Sequence, residues 1–120
     1  MAASILDLDR FSLQLTVWFK PSDLPKFWSA FKPIFDVVAA EPELLYFEVF
    51  EDPAEPGKIS WIENWDMPPQ KFLTEFMPSR MEHYKPYMEA TEPLFVKPRQ
   101  FTVMKRVGAP YVVQKDGNVK

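Results

Sequence analysis

No cysteine occurs in the 120 residues. That excludes disulfides, a thiolate nucleophile and any cysteine-ligated zinc or iron–sulfur centre. Histidine occurs once, at His83. A lone histidine cannot make a catalytic metal site without carboxylate help, and no H-x-E or E-x-x-H spacing supplies it. Three glycines cannot build a phosphate-cradling loop. No apolar run approaches the roughly 20 residues of a membrane span, and the opening MAASILDLDR carries two acids and no apolar core segment, unlike a signal peptide. The net charge is −3 with no basic patch, which argues against nucleic acid as a partner. A soluble cytoplasmic protein is the simplest expectation.

What the chain has in quantity is aromatic side chains: eleven Phe, four Trp and four Tyr, beside thirteen Pro. One domain is the default at this length, large enough to bury roughly two thirds of its unfolded surface. Large rings fill a core, and they also line pockets for flat organic ligands.

The periodicities divide the chain. A lead-in, 1–10, precedes a strand over 11–19, in which Phe11, Leu13, Leu15, Val17 and Phe19 alternate with Ser12, Gln14, Thr16 and Trp18. Ser22 is a candidate N-cap. Leu24, Phe27, Trp28, Phe31, Ile34, Phe35 and Val38 then form one stripe of a helix over about 23–40, with a kink predicted at Pro33. Strands over 44–51 and 58–66 flank the turn DPAEPG as a hairpin. A helix opens at Pro68 and Pro69. Pro78 and Pro86 are expected to cut the chain beyond it into short helical pieces as far as Thr91, before a last strand over 99–107 and a tail over 108–120. The order strand, helix, strand, strand, helix, strand predicts a ferredoxin-like α+β unit: a four-stranded antiparallel sheet with helices on one face. The second sheet face would carry Trp, Tyr and Phe among polar residues, and a second copy related by a two-fold axis is the expected cover.

The order and several motifs resemble the antibiotic-biosynthesis-monooxygenase-like domains of the dimeric α+β barrel superfamily. The motifs are the alternating first strand, the turn Glu55-Pro56-Gly57, the Glu-x-Trp of Glu63 and Trp65, and the segment HYKPYMEATEPLFVKPRQF (83–101). That last segment is similar to KPY…ATEP…KPR runs in uncharacterised fungal members. The resemblance covers about residues 11 to 107. It implies a homodimer joined through its sheet faces and, in each protomer, a pocket between sheet and helices. Members include cofactor-free oxygenases that turn anthrones or hydroquinones into quinones, haem-degrading enzymes, isomerases and proteins of unknown role, so fold transfers better than function.

Candidate site residues carry a bland reading beside a functional one. In WIENWD, Trp61, Glu63 and Trp65 share one strand face. Buried among indoles, Glu63 would have a raised pKa suited to proton transfer; the expected alternative is an ion pair with Arg99 or with a partner-chain cation, shielded by the two Trp. The resemblance makes Trp65 a pocket residue, with Trp61, Tyr84, Tyr46 and Phe72 as further candidates for contact with an aromatic ligand. Asn64 faces the other way and serves either as a polar group toward a ligand oxygen or as a dimer contact. His83 is a general base or a half-exposed helix residue. Haem-degrading relatives pair a helix histidine with a first-strand asparagine, and here that strand offers only Ser12, Gln14 and Thr16. Tyr87 handles protons or fills space. Arg99 holds a substrate oxyanion or pairs with Glu63 or Glu92. The acids of EPE and EDPAEP read as solvated turns, and Met67, Met77, Met81, Met88 and Met104 as pliable core. The resulting expectation is a cofactor-free, metal-free oxygenase for a flat aromatic substrate of secondary metabolism. The alternatives are an isomerase or cyclase using the same pocket, and a dimeric carrier or stress-associated protein.

Overall fold

The computed structural model describes residues 8–119; most of the predicted lead-in lies outside the described residues. Four strands, β1 (Phe11–Phe19), β2 (Leu44–Glu51), β3 (Lys58–Trp65) and β4 (Phe95–Lys105), form one antiparallel sheet in the order β2-β3-β1-β4. Helix α1 (Leu24–Ala39) connects β1 to β2, and a helical run connects β3 to β4. This is the ferredoxin-like α+β arrangement predicted from the element order.

The period-two pattern of β1 sets Phe11, Val17 and Phe19 into the core with Ile59, Trp61 and Trp65 of β3, all buried. The same pattern fixes the register: Phe11 pairs with Trp65, Leu15 with Trp61 and Val17 with Ile59. The stripe of α1 closes this face with buried Phe27, Phe31, Ile34 and Val38. Phe31 lies 4.9 Å from the Trp61 ring and Phe27 4.9 Å from Phe19, centroid to centroid.

Several local predictions are corrected. Ser22 is not the cap of α1: a 3₁₀ turn (Pro21–Asp23) precedes the helix, and Asp23 occupies its N-cap with no side-chain hydrogen bond. In β2, a register shift between Leu44 and Tyr46 leaves Leu45 exposed and brings Leu44 opposite Trp65. The helical run opens with α2 (Pro69–Lys71), widens into a π turn (Phe72–Phe76) and ends with α3 (Met77–Ser79). The wide turn lies just before Pro78, which has no N–H to give the helical ladder. The break falls at Arg80, and α4 (Met81–Thr91) then runs straight through Pro86. β4 begins at Phe95 rather than 99. Pro98 is tolerated because β4 is an edge strand with register shifts beside it.

The hairpin turn docks on the end of β1. Gly57, at φ +93°, accepts the Phe19 N–H at 2.9 Å. Residues 108–119 add neither helix nor strand, and a cleft of about 1320 Å³ separates them from the outer face of β2. Among the described residues no helix is long and apolar enough to cross a membrane.

Candidate functional site

Glu63 points into the layer between sheet and helices. It is 7% exposed, and its two oxygens are divided between its strand neighbours. The Trp61 Nε1–H donates to Oε2 and the Trp65 Nε1–H to Oε1, each at 3.0 Å. Residues two apart on a strand share a face, so W-x-E-x-W is enough to bring one indole N–H to each carboxylate oxygen. The expected ion pair with Arg99 does not form: among the described residues no Lys, Arg or His side chain lies within salt-bridge distance of Glu63. Two neutral donors stabilise the anion, yet its charge stays uncompensated. Burial outweighs the hydrogen bonds and raises the Glu63 pKa from its ordinary 4.5 to about 7.

A cavity of about 190 Å³ opens beside this carboxylate, walled by β1, β3, β4, the π turn and α4. Phe11, Val17, Trp61, Glu63 and Phe72 are buried in its wall, while Leu73, Arg99 and Phe101 are exposed at its mouth. Tyr84 and Tyr87 line it from positions one turn apart on α4. Burial pushes the Tyr87 phenol up to about 12 and the Tyr84 phenol further still. Both are hydrogen-bond donors at neutral pH, not bases. A smaller hollow of about 40 Å³ adjoins the cavity, and Trp61, Glu63, Tyr84 and Tyr87 line both spaces.

Two devices hold α4 against α1 and the turn that follows it. Phe31 of α1 lies 6.0 Å from the Tyr87 ring. Arg80, at the start of α4, bonds both oxygens of Glu41, at 2.8 and 3.2 Å, and lies over the Phe76 ring. Glu41 of the EPE turn is therefore a structural anchor. Glu55 and Asp52 of the hairpin turn similarly meet Lys58.

The structure thus gathers five of the candidate residues, Tyr87, Arg99, Trp61, Tyr84 and Phe72, around one cavity. Arg99 pairs with neither Glu63 nor Glu92 within ion-pair distance. Four candidates lie elsewhere. Trp65 is fully buried behind the wall, packed between Phe72 and Phe76, and reaches the site only through its N–H to Glu63. Asn64 and Tyr46 are paired across β3 and β2 on the opposite sheet face, where the Tyr46 hydroxyl bonds Glu48. His83 is 42% exposed on α4, with its Nε2 3.4 Å from Glu82, and does not line the cavity.

Leu13, Leu15 and Val103 belong to the wall although the sequence does not single them out; the alternation of β1 and β4 is the signal that places them there. Met88 lies four residues after Tyr84 on the same helix face, a spacing that would have found it. Among the described residues no three His, Asp or Glu side chains are grouped as a metal ion would require.

No known family's sequence model matches the chain. A protein of the fungus Pestalotiopsis microspora, provisionally assigned as a monooxygenase, is 28% identical over 96 residues, covering 80% of this chain and 78% of its own. Among solved structures, one from Caulobacter crescentus, provisionally assigned as an antibiotic biosynthesis monooxygenase, superposes with a TM-score of 0.71 at 17% identity, over 84% of this chain and 92% of its own. A conserved protein of Methanosarcina mazei gives 0.70 at 14% identity, over 82% of this chain and 94% of its own. An antibiotic biosynthesis monooxygenase gives 0.69 at 18% identity, over 82% and 99%. The chain has the fold of the antibiotic biosynthesis monooxygenases.

Proposed function

We propose that this protein is a monooxygenase that oxidises a flat, hydroxylated aromatic molecule without an added cofactor. The observation that carries this reading is the cavity itself: an apolar, ring-walled space whose ionisable side chains, among the described residues, are Glu63, Tyr84, Tyr87 and Arg99. Its similarity to the Pestalotiopsis microspora protein points the same way. An apolar cavity of about 150 Å³ holds one benzene ring. At about 190 Å³ the space encloses one substituted ring, and further rings of a larger substrate project past Leu73 and Phe101.

The chemistry needs only an electron-rich anion and O₂. An ionised hydroquinone or anthrone passes one electron to O₂, and the radical pair recombines as a peroxide. For a ring methylene, loss of water from the peroxide leaves the quinone carbonyl. One oxygen atom ends in the product and one in water, and the substrate supplies all four electrons. The protein's part is to exclude water, hold the ring and stabilise the oxyanion. Arg99 at the mouth and the two phenols are the donors for that anion.

Oxygen uptake by metal-stripped protein given a panel of hydroquinones and anthrones tests this. Uptake above the uncatalysed rate, with quinone formed, is the expected result. Ligand binding with no uptake across the panel would replace it with the carrier or isomerase reading.

We infer further that a second copy covers the outer sheet face. Phe50 and Met104 are exposed there, and Ile62 lies half-buried at its centre. In such a homodimer Asn64 and Tyr46 are interface residues rather than catalytic ones.

A further inference from the structure

We propose that Glu63 is the proton acceptor of the cavity, taking the proton of a bound phenolic hydroxyl onto its carboxylate. The inference rests on reading the cavity as a substrate site. It adds an assignment that the reaction leaves open.

Elimination among the groups that face the cavity leads to this carboxylate. Among the described residues four ionisable side chains line it: Glu63 from β3, Tyr84 and Tyr87 from α4, and Arg99 from β4. α1 and the π turn contribute only apolar side chains to the lining of the cavity and its adjoining hollow, among them Phe31, Phe35 and Phe72. The Arg99 guanidinium presents N–H donors and no acceptor. The two phenols are buried far enough to stay protonated well above neutrality. His83, the only histidine of the chain, does not line the space. Glu63 alone can alternate between two protonation states there.

Its hydrogen bonds suit that task. Each carboxylate oxygen accepts one indole N–H, which leaves a second lone pair on each oxygen to receive a proton. The indoles also fix the carboxylate in place, so no reorganisation is needed when the proton arrives. They are neutral, so the protonated acid meets no buried cation that would favour the anion outright. In the transfer the phenol O–H bond breaks, its electron pair stays on the ligand oxygen, and the proton passes to Glu63. The charge moves from the buried carboxylate to the ligand, where Arg99 is the one cation lining the cavity.

The test uses 3-nitrophenol, whose anion absorbs apart from its neutral form and which cannot be turned over. At about pH 7.5, Glu63 is largely ionised and the free phenol largely neutral. Bound to the wild-type protein, the probe is expected to show the anion spectrum. In Glu63→Gln the proton of each bound anion has to go to the buffer, so an indicator dye should record about one proton released per anion, against far less for the wild-type protein, where the carboxylate takes it up. Because a glutamine amide cannot accept from both indoles, a second variant keeps the carboxylate: Trp65→Phe removes one donor at a residue that does not itself line the cavity. With that donor gone the Glu63 carboxylate holds a proton more tightly, so the pH at which the bound probe ionises should fall by up to about one unit. Equal proton release to the buffer by the wild-type and Glu63→Gln proteins would overturn the assignment, as would no ionisation in the wild type or an unmoved profile in Trp65→Phe. Oxygen uptake is measured separately. A bound anion without uptake by any hydroquinone would refute the oxygenase reading and leave Glu63 as the acceptor.

Discussion

The Trp65 Nε1–H donates to Glu63 Oε1 at 3.0 Å, across two positions of a single strand, with both side chains buried. Trp61 repeats the contact from the other side. A buried carboxylate ordinarily demands a cation, because removing an ion from water costs several kcal/mol. Here the protein supplies neutral donors instead and lets the proton affinity rise. The carboxylate is held by geometry and left electrostatically poised.

Stability should record this. The folded pKa of about 7 exceeds the ordinary 4.5, so the native state binds the Glu63 proton more tightly than the unfolded chain. The stabilisation is complete below about pH 4.5 and is lost as pH rises through about 7. The shift corresponds to roughly 3 kcal/mol. Urea unfolding of wild-type and Glu63→Gln proteins from about pH 4.5 to 8 should show the wild type losing up to that amount relative to the variant. Parallel profiles would mean that the carboxylate is not buried uncompensated.

The fold was legible because its signals are local and mutually consistent. The alternation of Phe11 to Phe19 and the stripe from Leu24 to Val38 fix the faces of β1 and α1. The site was legible only in part. Sequence places Trp61, Glu63 and Trp65 on one face, but it cannot say whether a cation from another element reaches that face. Arg99 reaches the cavity because it shares a face of β4 with Phe101, which pairs with Leu15 of β1, a long-range pairing that no local pattern encodes. Trp65 is enclosed because the π turn brings Phe72 and Phe76 over it, 25° apart in plane. A proline-adjacent widening of one turn does not announce itself in hydrophobic periodicity.

His83 is the residue that sequence reading makes conspicuous and the structure sets apart. Its side chain is 42% exposed and outside the cavity wall. His83→Ala should change turnover or ligand affinity by no more than about twofold, the usual scale of an exposed substitution. A loss of 10²-fold or more, the scale of a general base, would return it to the site.

Arg99 should matter through charge. Arg99→Gln is expected to weaken binding of an ionised phenol by about 10- to 100-fold, the scale of a hydrogen bond to a charged group. Binding of the same phenol in its neutral form should change far less. Quenching of the tryptophan fluorescence, followed below and above the ligand's own pKa, measures both. Equal losses for the two forms would make Arg99 a packing residue of the mouth.

Gly57 ties the hairpin to β1, and its place is closed to other residues. At φ +93° a side chain is already strained, and a Cβ would lie 2.0 Å from the Phe19 carbonyl oxygen. The turn must move, and the Phe19 N–H bond at 2.9 Å goes with it. Gly57→Ala should cost about 2–4 kcal/mol in urea unfolding. A cost under about 0.5 kcal/mol would show that the turn relaxes away from β1 freely.

A single charge probes the outer sheet face. Ile62 pairs with Gln14 on β1 and Glu48 on β2, so it stands at the middle of that face. Aspartate there sets a second carboxylate beside Glu48, a like-charge neighbour that a half-exposed monomer surface tolerates and a buried dimer interface does not. Wild-type protein should sediment at twice the 14.1 kDa protomer mass, and Ile62→Asp at the protomer mass with its circular dichroism unchanged. The cavity opens on the other side of the sheet, so ligand binding by the monomeric variant would persist if each protomer carries a complete site. Were the wild type itself to sediment as a monomer, the exposed Phe50 and Met104 of the outer face would need a different cover.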